Sequence, residues 1–405
     1  MLTYEEALQS VLETVQPLPP VTLPLTAAAG RVLATALIAS RNLPPSDNSA
    51  MDGYAFAWAE DILEKPLAVI DFVAAGHARQ LPVPAGHAVK IMTGAPLPPD
   101  CDTVVPLEDV EVVADTIRLK ATSKRGENVR YCGEELRCGE LILDAGTPLF
   151  AGEIGFLAAA GIETVLVHPA PRVAILSTGD ELVELGDPQI AGKIVNSNAY
   201  LLATRLRELG CEPLLLGIAR DTPEELATAL KKGLQADLLL TTGGVSVGDC
   251  DHVQESLTNL GFSRKFWKVA IKPGKPVLFG MINAQPVFGL PGNPAATAAT
   301  FELFVQPALR RLAGFTSTRP PRLRVTLTEA IKGGGKRQRF LWGRLEIRNG
   351  SFCFTSAHYQ GSGQNRSLQG AQALLPIPEH SPDLAPGSEV EILLLRMPPD
   401  NRNHA

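Results

Sequence analysis

The spacing of hydrophobic and polar positions changes rhythm along the chain, and each change predicts a different kind of structure. Positions 3–12 place Ala7, Leu8, Val11 and Leu12 on one helical face, with Thr3 and Glu6 at capping-box spacing. Prolines at 17, 19 and 20 stop that helix. Between 61 and 120, short apolar runs separated by Gly and Pro predict strands over 67–73, 88–92, 103–106, 110–113 and 116–119, an all-β, barrel-like insert. From Arg172 the pattern becomes strand 173–177, helix 198–209 stopped by Gly210, and strand 213–219. Thr222-Pro223-Glu224-Glu225 then opens a helix with a capping box and proline in first position, and Asp237 opens a buried strand through Leu240. After Pro320-Pro321, strands over 323–328, 340–347, 352–356, 373–377 and 389–395 predict a C-terminal β domain.

The fold class that follows is α/β plus β: a multidomain subunit with a doubly wound, mostly parallel sheet, an inserted β-barrel-like domain and a C-terminal β domain. The expected boundaries are 1–45 with 139–170 for an N-terminal, linking domain, 46–138 for the insert, 171–318 for the α/β domain and 319–397 for the C-terminal domain, with a disordered tail at 398–405.

In a doubly wound sheet, ligands bind beyond the carboxyl ends of the strands, so the residues after those ends carry the candidate chemistry. Residues 237–253, DLLLTTGGVSVGDCDHV, run from a buried strand into a turn where Gly243, Gly244 and Gly248 let the backbone approach a ligand and Ser246, Asp249 and Asp251 offer polar groups. Asp251 reads equally as the N-cap of the helix pattern that follows. Glu181 and Asp221 follow two other strands, and three acids at one sheet edge point to a divalent cation with phosphate-bearing ligands. Without a cation, grouped carboxylates repel by about 1 kcal/mol per pair at ~4 Å in water and by more near a protein surface.

Two basic or amide-rich stretches complement the acids. In 266–276, Lys268 and Lys272 share a face if the strand continues through Ile271, and Lys275 follows on a Pro-Gly turn; the alternative is a solvated basic edge. Pro291, Gly292 and Asn293 lead into a long helix over 295–313, capped by Asn293 with Pro294 in first position, whose free N–H groups would receive an anion. In 44–55, Asp52 sits between Met51 and Gly53-Tyr54, either an ordinary turn or an acid on a shaped support, and Thr93 displays a hydroxyl at a strand end. Lys332–Arg339 and Gly361-Ser362-Gly363 are turns able to close on an oxyanion.

Composition narrows the field further. The 405 residues are 45% hydrophobic and 20% charged, with a net charge of -6, which excludes a general nucleic-acid binder. The opening MLTYEEALQS lacks a basic and then apolar leader, and the longest charge-free stretch, 276–301, is broken by Gly, Pro and Asn, so neither a signal peptide nor a membrane span is expected. Six scattered cysteines without a CxxC pair read as reduced packing residues of a cytoplasmic protein, and seven histidines without paired-ligand spacing exclude a typical zinc site.

Taken in order, PPSDNSAMDGYA (44–55), KIMTGAP (90–96), GENVR (126–130), ILSTGDEL (175–182), NSN (196–198), TTGGVSVGDCD (241–251), KVAIKPGKP (268–276) and GLPGNP (289–294) resemble the molybdopterin molybdenumtransferases, or molybdenum insertases, a family that includes bacterial MoeA and the C-terminal domain of gephyrin. The resemblance covers nearly the whole chain. It implies an elongated, four-domain, dimeric subunit that inserts molybdate into adenylylated molybdopterin and releases AMP with Mg2+ assistance, in a cleft at the subunit interface. It further implies transient contact with molybdopterin-synthesising or molybdoenzyme partners. Carried over by position, Asp52, Glu181, Asp221 and Asp251 would be the functional carboxylates with Thr93 beside them, and Glu181, Asp221 and Asp251 the metal ligands. Lys268, Lys272 and Lys275 would hold phosphate and molybdate, Gly243, Gly244, Ser246, Pro291, Gly292 and Asn293 would line the substrate site, and Arg337 and Ser362 would complete the oxyanion site. Two positions depart from the family pattern: Glu135, where an Asp is usual, and Trp342, where an arginine is usual. A related molybdopterin adenylyltransferase shares the α/β domain, but Gly-Gly-Val-Ser at 243–246 and the additional β domains count against it. A non-catalytic scaffold is the other alternative, against which the retained acids count.

Overall fold

The computed structural model describes residues 1–188, 190–220, 222–244 and 252–398. Ser246, Asp249 and Asp251, Asp221 and the tail from 399 lie outside the described residues. The chain forms two compact units, one of Met1–Val21, Gly30–Ala34 and Leu166–Ala405, the other of Thr22–Ala29 and Thr35–Val165.

The first unit is built on a six-stranded sheet in the order Glu212–Ala219, Arg172–Thr178, Leu238–Thr242, Gln285–Leu290, Leu278–Ile282, Ser263–Trp267. The first four run parallel, and the last two pair antiparallel. Alternation along the central strands explains why helices cover both faces: Val173, Ile175, Leu238 and Leu240 enter one core with helix Ser197–Glu208, while Ala174, Leu176 and Leu239 enter the other with Leu226, Leu230, Val253 and Leu257 of the helices Pro223–Gly233 and His252–Asn259. The helix after Arg172–Thr178 and the helix after Leu238–Thr242 therefore lie on opposite faces, which makes the carboxyl ends of these adjacent strands a topological switch point.

The same unit carries the C-terminal β domain. Strand Gln338–Arg348 pairs with both Ser351–Ser356 and Ala373–Ile377, and Glu389–Leu394 pairs with both Ala373–Ile377 and Arg322–Leu327, which pairs in turn with Ser351–Ser356. Five strands thus close on themselves around Val325, Leu341, Phe354, Leu375 and Ile392. Ile271–Lys272 adds to the barrel beside Gln338 and Arg339. The N-terminal helix Tyr4–Thr14 forms with its capping box intact, and Tyr4 packs edge-on against Phe340 at 5.2 Å between ring centroids.

The second unit holds a six-stranded sheet in the order Thr103–Pro106, Gly53–Phe56, His87–Ile91, Leu67–Val73, Thr116–Leu119, Val110–Val113. Four of its strands lie where the alternation predicts, and His87–Ile91 is offset by one residue from 88–92. The strand absent from the sequence reading is Gly53–Phe56, buried along its length between two neighbours. A helix, Ala151–Ala159, also forms where no element was predicted.

Several local expectations are corrected. Lys268 and Lys272 do not share a strand: Ser263–Trp267 ends before Lys268, whose φ of 67° turns the chain, and Lys272 belongs to the barrel. The helix expected over 295–313 is Pro294–Thr300 and Gln306–Leu312 joined by a π turn, Phe301–Val305. Pro307 has no N–H to continue the α ladder, and Gln306 N–H bonds Phe301 O five residues back. The expected capping box does not form: Thr222 occupies the N-cap without a side-chain cap bond, and Glu225 accepts the Arg220 N–H at 3.2 Å.

Among the described residues no helix is long and apolar enough to cross a membrane. The five described cysteines are free thiols, and two differ from the packing role expected: Cys132 and Cys138 are exposed, and Cys132 Sγ accepts the Asn42 amide at 3.1 Å. Burial pushes the thiols of Cys101 and Cys211 up to about 12. Brief alkylation of the folded protein at about pH 8 is therefore expected to label Cys132 and Cys138 at least ~100-fold faster than Cys101 and Cys211. Peptide mass mapping reads this out, and equal labelling would contradict it.

Candidate active site

Three parallel strands end side by side, and each is followed by a turn that faces the same cleft. Arg172–Thr178 leads to Glu181, Leu238–Thr242 to Gly243 and Gly244, and Gln285–Leu290 to Pro291, Gly292 and Asn293. Together with Leu182, Ile194, Asn198 and Pro276 these residues line a volume of about 280 Å³. A larger cavity of about 420 Å³ lies between Tyr4 and the barrel, but it is lined mainly by apolar side chains such as Phe340, Leu375 and Leu393. Its charged residues Glu5, Arg322 and Glu391 are paired with one another, at 3.7 and 2.7 Å. The smaller cleft is the one at the switch point, and its polar groups face one another across it.

Glycine is required where the middle strand turns. Gly243 has φ 90°, and a Cβ there would lie 2.4 Å from the Thr178 carbonyl oxygen; Gly244 has φ 64°, and its Cβ would lie 2.5 Å from Val253. Gly292 packs on this turn, with Gly243 Cα 3.8 Å from the position of its missing Cβ. Below the turn lies a buried hydroxyl chain: Thr242 Oγ1 donates to Ser177 Oγ at 3.1 Å, and Ser177 Oγ donates to Asn196 Oδ1 at 3.0 Å. Asn196 caps helix Ser197–Glu208 by accepting the Ala199 N–H. On that helix, Asn198 Nδ2 donates to the Gly292 carbonyl at 2.7 Å.

Of the residues expected from sequence, Glu181, Gly243, Gly244, Pro291, Gly292 and Asn293 meet in this cleft. Ser362 joins its rim: its Oγ accepts the Asn293 amide at 3.3 Å and its carbonyl accepts the Ala295 N–H at 2.9 Å. That bond corrects one reading. Ala296 and Thr297 donate to the Asn293 carbonyl, and Asn293 makes no side-chain cap bond, so the first N–H groups of Pro294–Thr300 are already used.

The basic residues divide into groups. Lys275 is exposed next to Pro276 of the cleft wall. Lys268 Nζ lies 3.7 Å from the Trp267 ring centroid, a cation–π contact. Lys272 is exposed at the barrel strand, and Arg337 donates to the neighbouring Ile271 carbonyl at 3.1 Å. Trp342 is 4% exposed within the core, so that position is a packing site rather than a cation. Glu135 accepts from Arg130 at 3.4 Å on an exposed loop.

Asp52 and Thr93 pair within the second unit. The Asp52 carboxylate accepts the Thr93 N–H at 2.7 Å and the Thr93 hydroxyl at 2.8 Å. These two bonds, the backbone one first, hold the Asp52 carboxyl below the usual carboxylate range. A depressed carboxyl contributes stability above its unfolded pKa that is lost as pH falls through the folded one. In Thr93→Val the Asp52 titration, followed by carboxyl-carbon NMR, is expected to shift upward but to stay below the ordinary value because the N–H bond remains; an unmoved titration would contradict the assignment.

Among the described residues no cluster of three or more metal-ligating side chains occurs. Glu181 is nevertheless an exposed carboxylate at the cleft, and magnesium needs only one or two carboxylates when substrate phosphate supplies further oxygens, so this donor fits the ion. Sequence reasoning missed Asn198, Thr178 and Thr242 as wall residues, although the run Asn196-Ser197-Asn198 at a helix start was a visible signal.

The chain matches known families along most of its length. Residues 2–161 match the MoeA N-terminal region (domain I and II), 174–311 the probable molybdopterin binding domain, and 324–395 the MoeA C-terminal region (domain IV). A molybdopterin molybdenumtransferase from a Nostoc species is 39% identical over 92% of this chain and 88% of its own length, and one from Haemophilus influenzae is 35% identical over 97% and 98%. Among solved structures, a molybdopterin biosynthesis MoeA protein from Pyrococcus horikoshii superposes with a TM-score of 0.85 at 31% identity, covering 98% of this chain and 100% of that one. With a switch-point cleft inside the segment matched to molybdopterin binding and relatives of this identity over nearly full length, the chain belongs to the molybdopterin molybdenumtransferase (MoeA) family of enzymes.

Proposed function

We propose that this enzyme inserts molybdenum from molybdate into adenylylated molybdopterin and releases AMP with magnesium assistance. The observation that carries the reading is the convergence of Glu181, the Gly243-Gly244 turn and the Pro291–Asn293 turn on one cleft within the segment matched to molybdopterin binding. The glycine turns let backbone approach a pterin or phosphate closely, and Lys275 and the Asn293–Ser362 pair stand at the rim to meet anionic oxygens. Lys268, Lys272 and Arg337 extend the cationic side, and Asp52 with Thr93 is a further functional carboxylate in this proposal.

Cleaving the anhydride breaks the bond from the adenylate phosphorus to the bridging oxygen, whose electron pair leaves on the molybdopterin phosphate; water in its place gives AMP directly, whereas a molybdate oxygen gives adenylyl-molybdate, which water then cleaves to AMP and molybdate. Such a reaction needs charge neutralisation and in-line placement more than a protein nucleophile. Glu181, with Asp221 and Asp251, would hold magnesium, which when bound supplies Lewis-acid neutralisation of phosphate oxygens. We further infer the four-domain division given above, a cytoplasmic homodimer with its site at the subunit interface, and transient contact with proteins that make or receive the cofactor.

The test is product analysis. Incubation with adenylylated molybdopterin, magnesium and molybdate is expected to release AMP, detected by chromatography, and Glu181→Gln is expected to slow release by about 100-fold. Absence of AMP with the unsubstituted protein would defeat the proposal, and consumption of ATP to make adenylylated pterin would replace it with the adenylyltransferase reading.

A further inference from the structure

We infer that Asn198 is a positioning residue: a clasp that fixes the two walls of the cleft against each other, held in place by the buried chain Thr242–Ser177–Asn196. The inference rests on the proposed function for its rate measurement but on geometry for its origin. Asn198 stands in the first turn of Ser197–Glu208, on one wall, and its amide donates at 2.7 Å to the carbonyl of Gly292, on the other. The two residues are 94 apart in sequence, so the bond ties together elements that chain connectivity leaves independent.

What lies beneath explains why the clasp can hold a fixed separation. Ser177, Thr242 and Asn196 are at most 2% exposed, and their chain links the ends of the two central strands to the cap of the helix that carries Asn198. A buried hydrogen-bond chain of this kind has few alternative arrangements, because each displaced member loses a partner without gaining water. Asn198 Oδ1 is itself buried and has no hydrogen-bond partner among the described residues, where the amide is oriented by its bond to Gly292. Gly292 in turn packs on Gly243. Deeper in the unit the two helices share a core and the Arg205–Glu302 pair, and at the cleft itself this amide joins the Pro291–Asn293 wall to the first turn of the helix.

A positioning role and a substrate-binding role separate in the kinetics of AMP release. Positioning predicts that Asn198→Ala and Asn198→Asp lower kcat by about 10- to 100-fold with KM within about threefold of the unsubstituted enzyme. Thr242→Val, which removes the hydroxyl at nearly constant shape, is expected to lower kcat in the same sense, and Thr242→Ser, which keeps it, to restore most of the rate. The melting temperature of Asn198→Ala should stay within a few degrees, since the side chain is only half-buried and its removal strands no charge. Independently of turnover, hydrogen exchange of the amides of Gly292, Asn293, Ala295, Ala296 and Thr297 should quicken in Asn198→Ala. A rise in KM alone would make Asn198 a substrate contact and overturn the inference, as would unchanged kcat with unchanged exchange. If the unsubstituted protein releases no AMP, the proposed function fails, and the exchange result still decides whether the clasp exists.

Discussion

Gly243→Ala is expected to lower AMP release by about 100-fold, the loss that ~1 Å of misplacement at a reacting centre produces. Two causes act together. A φ of 90° is costly for any residue with a side chain, and the added Cβ would lie 2.4 Å from the Thr178 carbonyl oxygen, a backbone atom that cannot swing aside. Relief requires the turn to move, and Gly292 moves with it because it packs on Gly243. Stability is expected to fall by about 2–4 kcal/mol, measured by denaturant unfolding. Gly139→Ala separates the causes: Gly139 shares a φ of 90° but has no atom within 4 Å of its Cβ position. That control is expected to cost only about 1–2 kcal/mol and to leave turnover unchanged. Equal loss of activity in both would refute the steric account of the cleft.

Arg205→Ala is expected to destabilise the first unit by about 3–5 kcal/mol, the cost of leaving a buried carboxylate without its partner. Arg205 is 7% exposed and Glu302 5% exposed, and the guanidinium meets both carboxylate oxygens of Glu302, at 2.7 and 3.2 Å. It also donates to Glu208 at 2.8 Å and to the Leu395 carbonyl at 3.1 Å, joining the helix Ser197–Glu208, the π turn and the end of the barrel. Burial pushes the Glu302 carboxyl up, and Arg205 offsets that only in part. The double variant Arg205→Met with Glu302→Leu is therefore expected to recover much of the loss, since no charge is then stranded. Unfolding of the single and double variants decides the matter: a double variant as unstable as Arg205→Ala would show that packing, not charge, dominates.

The legible parts of the fold were those set by local pattern. Strands such as Leu67–Val73 and Thr116–Leu119 emerge from alternation between Gly and Pro turns, and the barrel strands from the same signal. Gly53–Phe56 was not legible: only four residues long, it follows directly on a run rich in Ser, Asp and Asn that has a turn composition, and pairing with His87–Ile91 and Thr103–Pro106 makes it a strand. The separation of Lys268 from Lys272 was likewise hidden, because a positive φ at a lysine has no local signature. In the cleft, the glycines and Glu181 announced themselves, since turn chemistry is local. Asn198 and Thr242 did not, because their importance lies in bonds to residues far away in sequence, at Gly292 and Ser177.

The placement of the substrate over the switch-point turns is tested most directly by a crystal structure of the protein soaked with AMP, magnesium and molybdate. Density for the nucleotide against Gly243, Gly244 and the Pro291–Asn293 turn, with a cation at Glu181, is the expected result. Density confined to the cavity between Tyr4 and the barrel, with the cleft empty at saturating AMP, would contradict it.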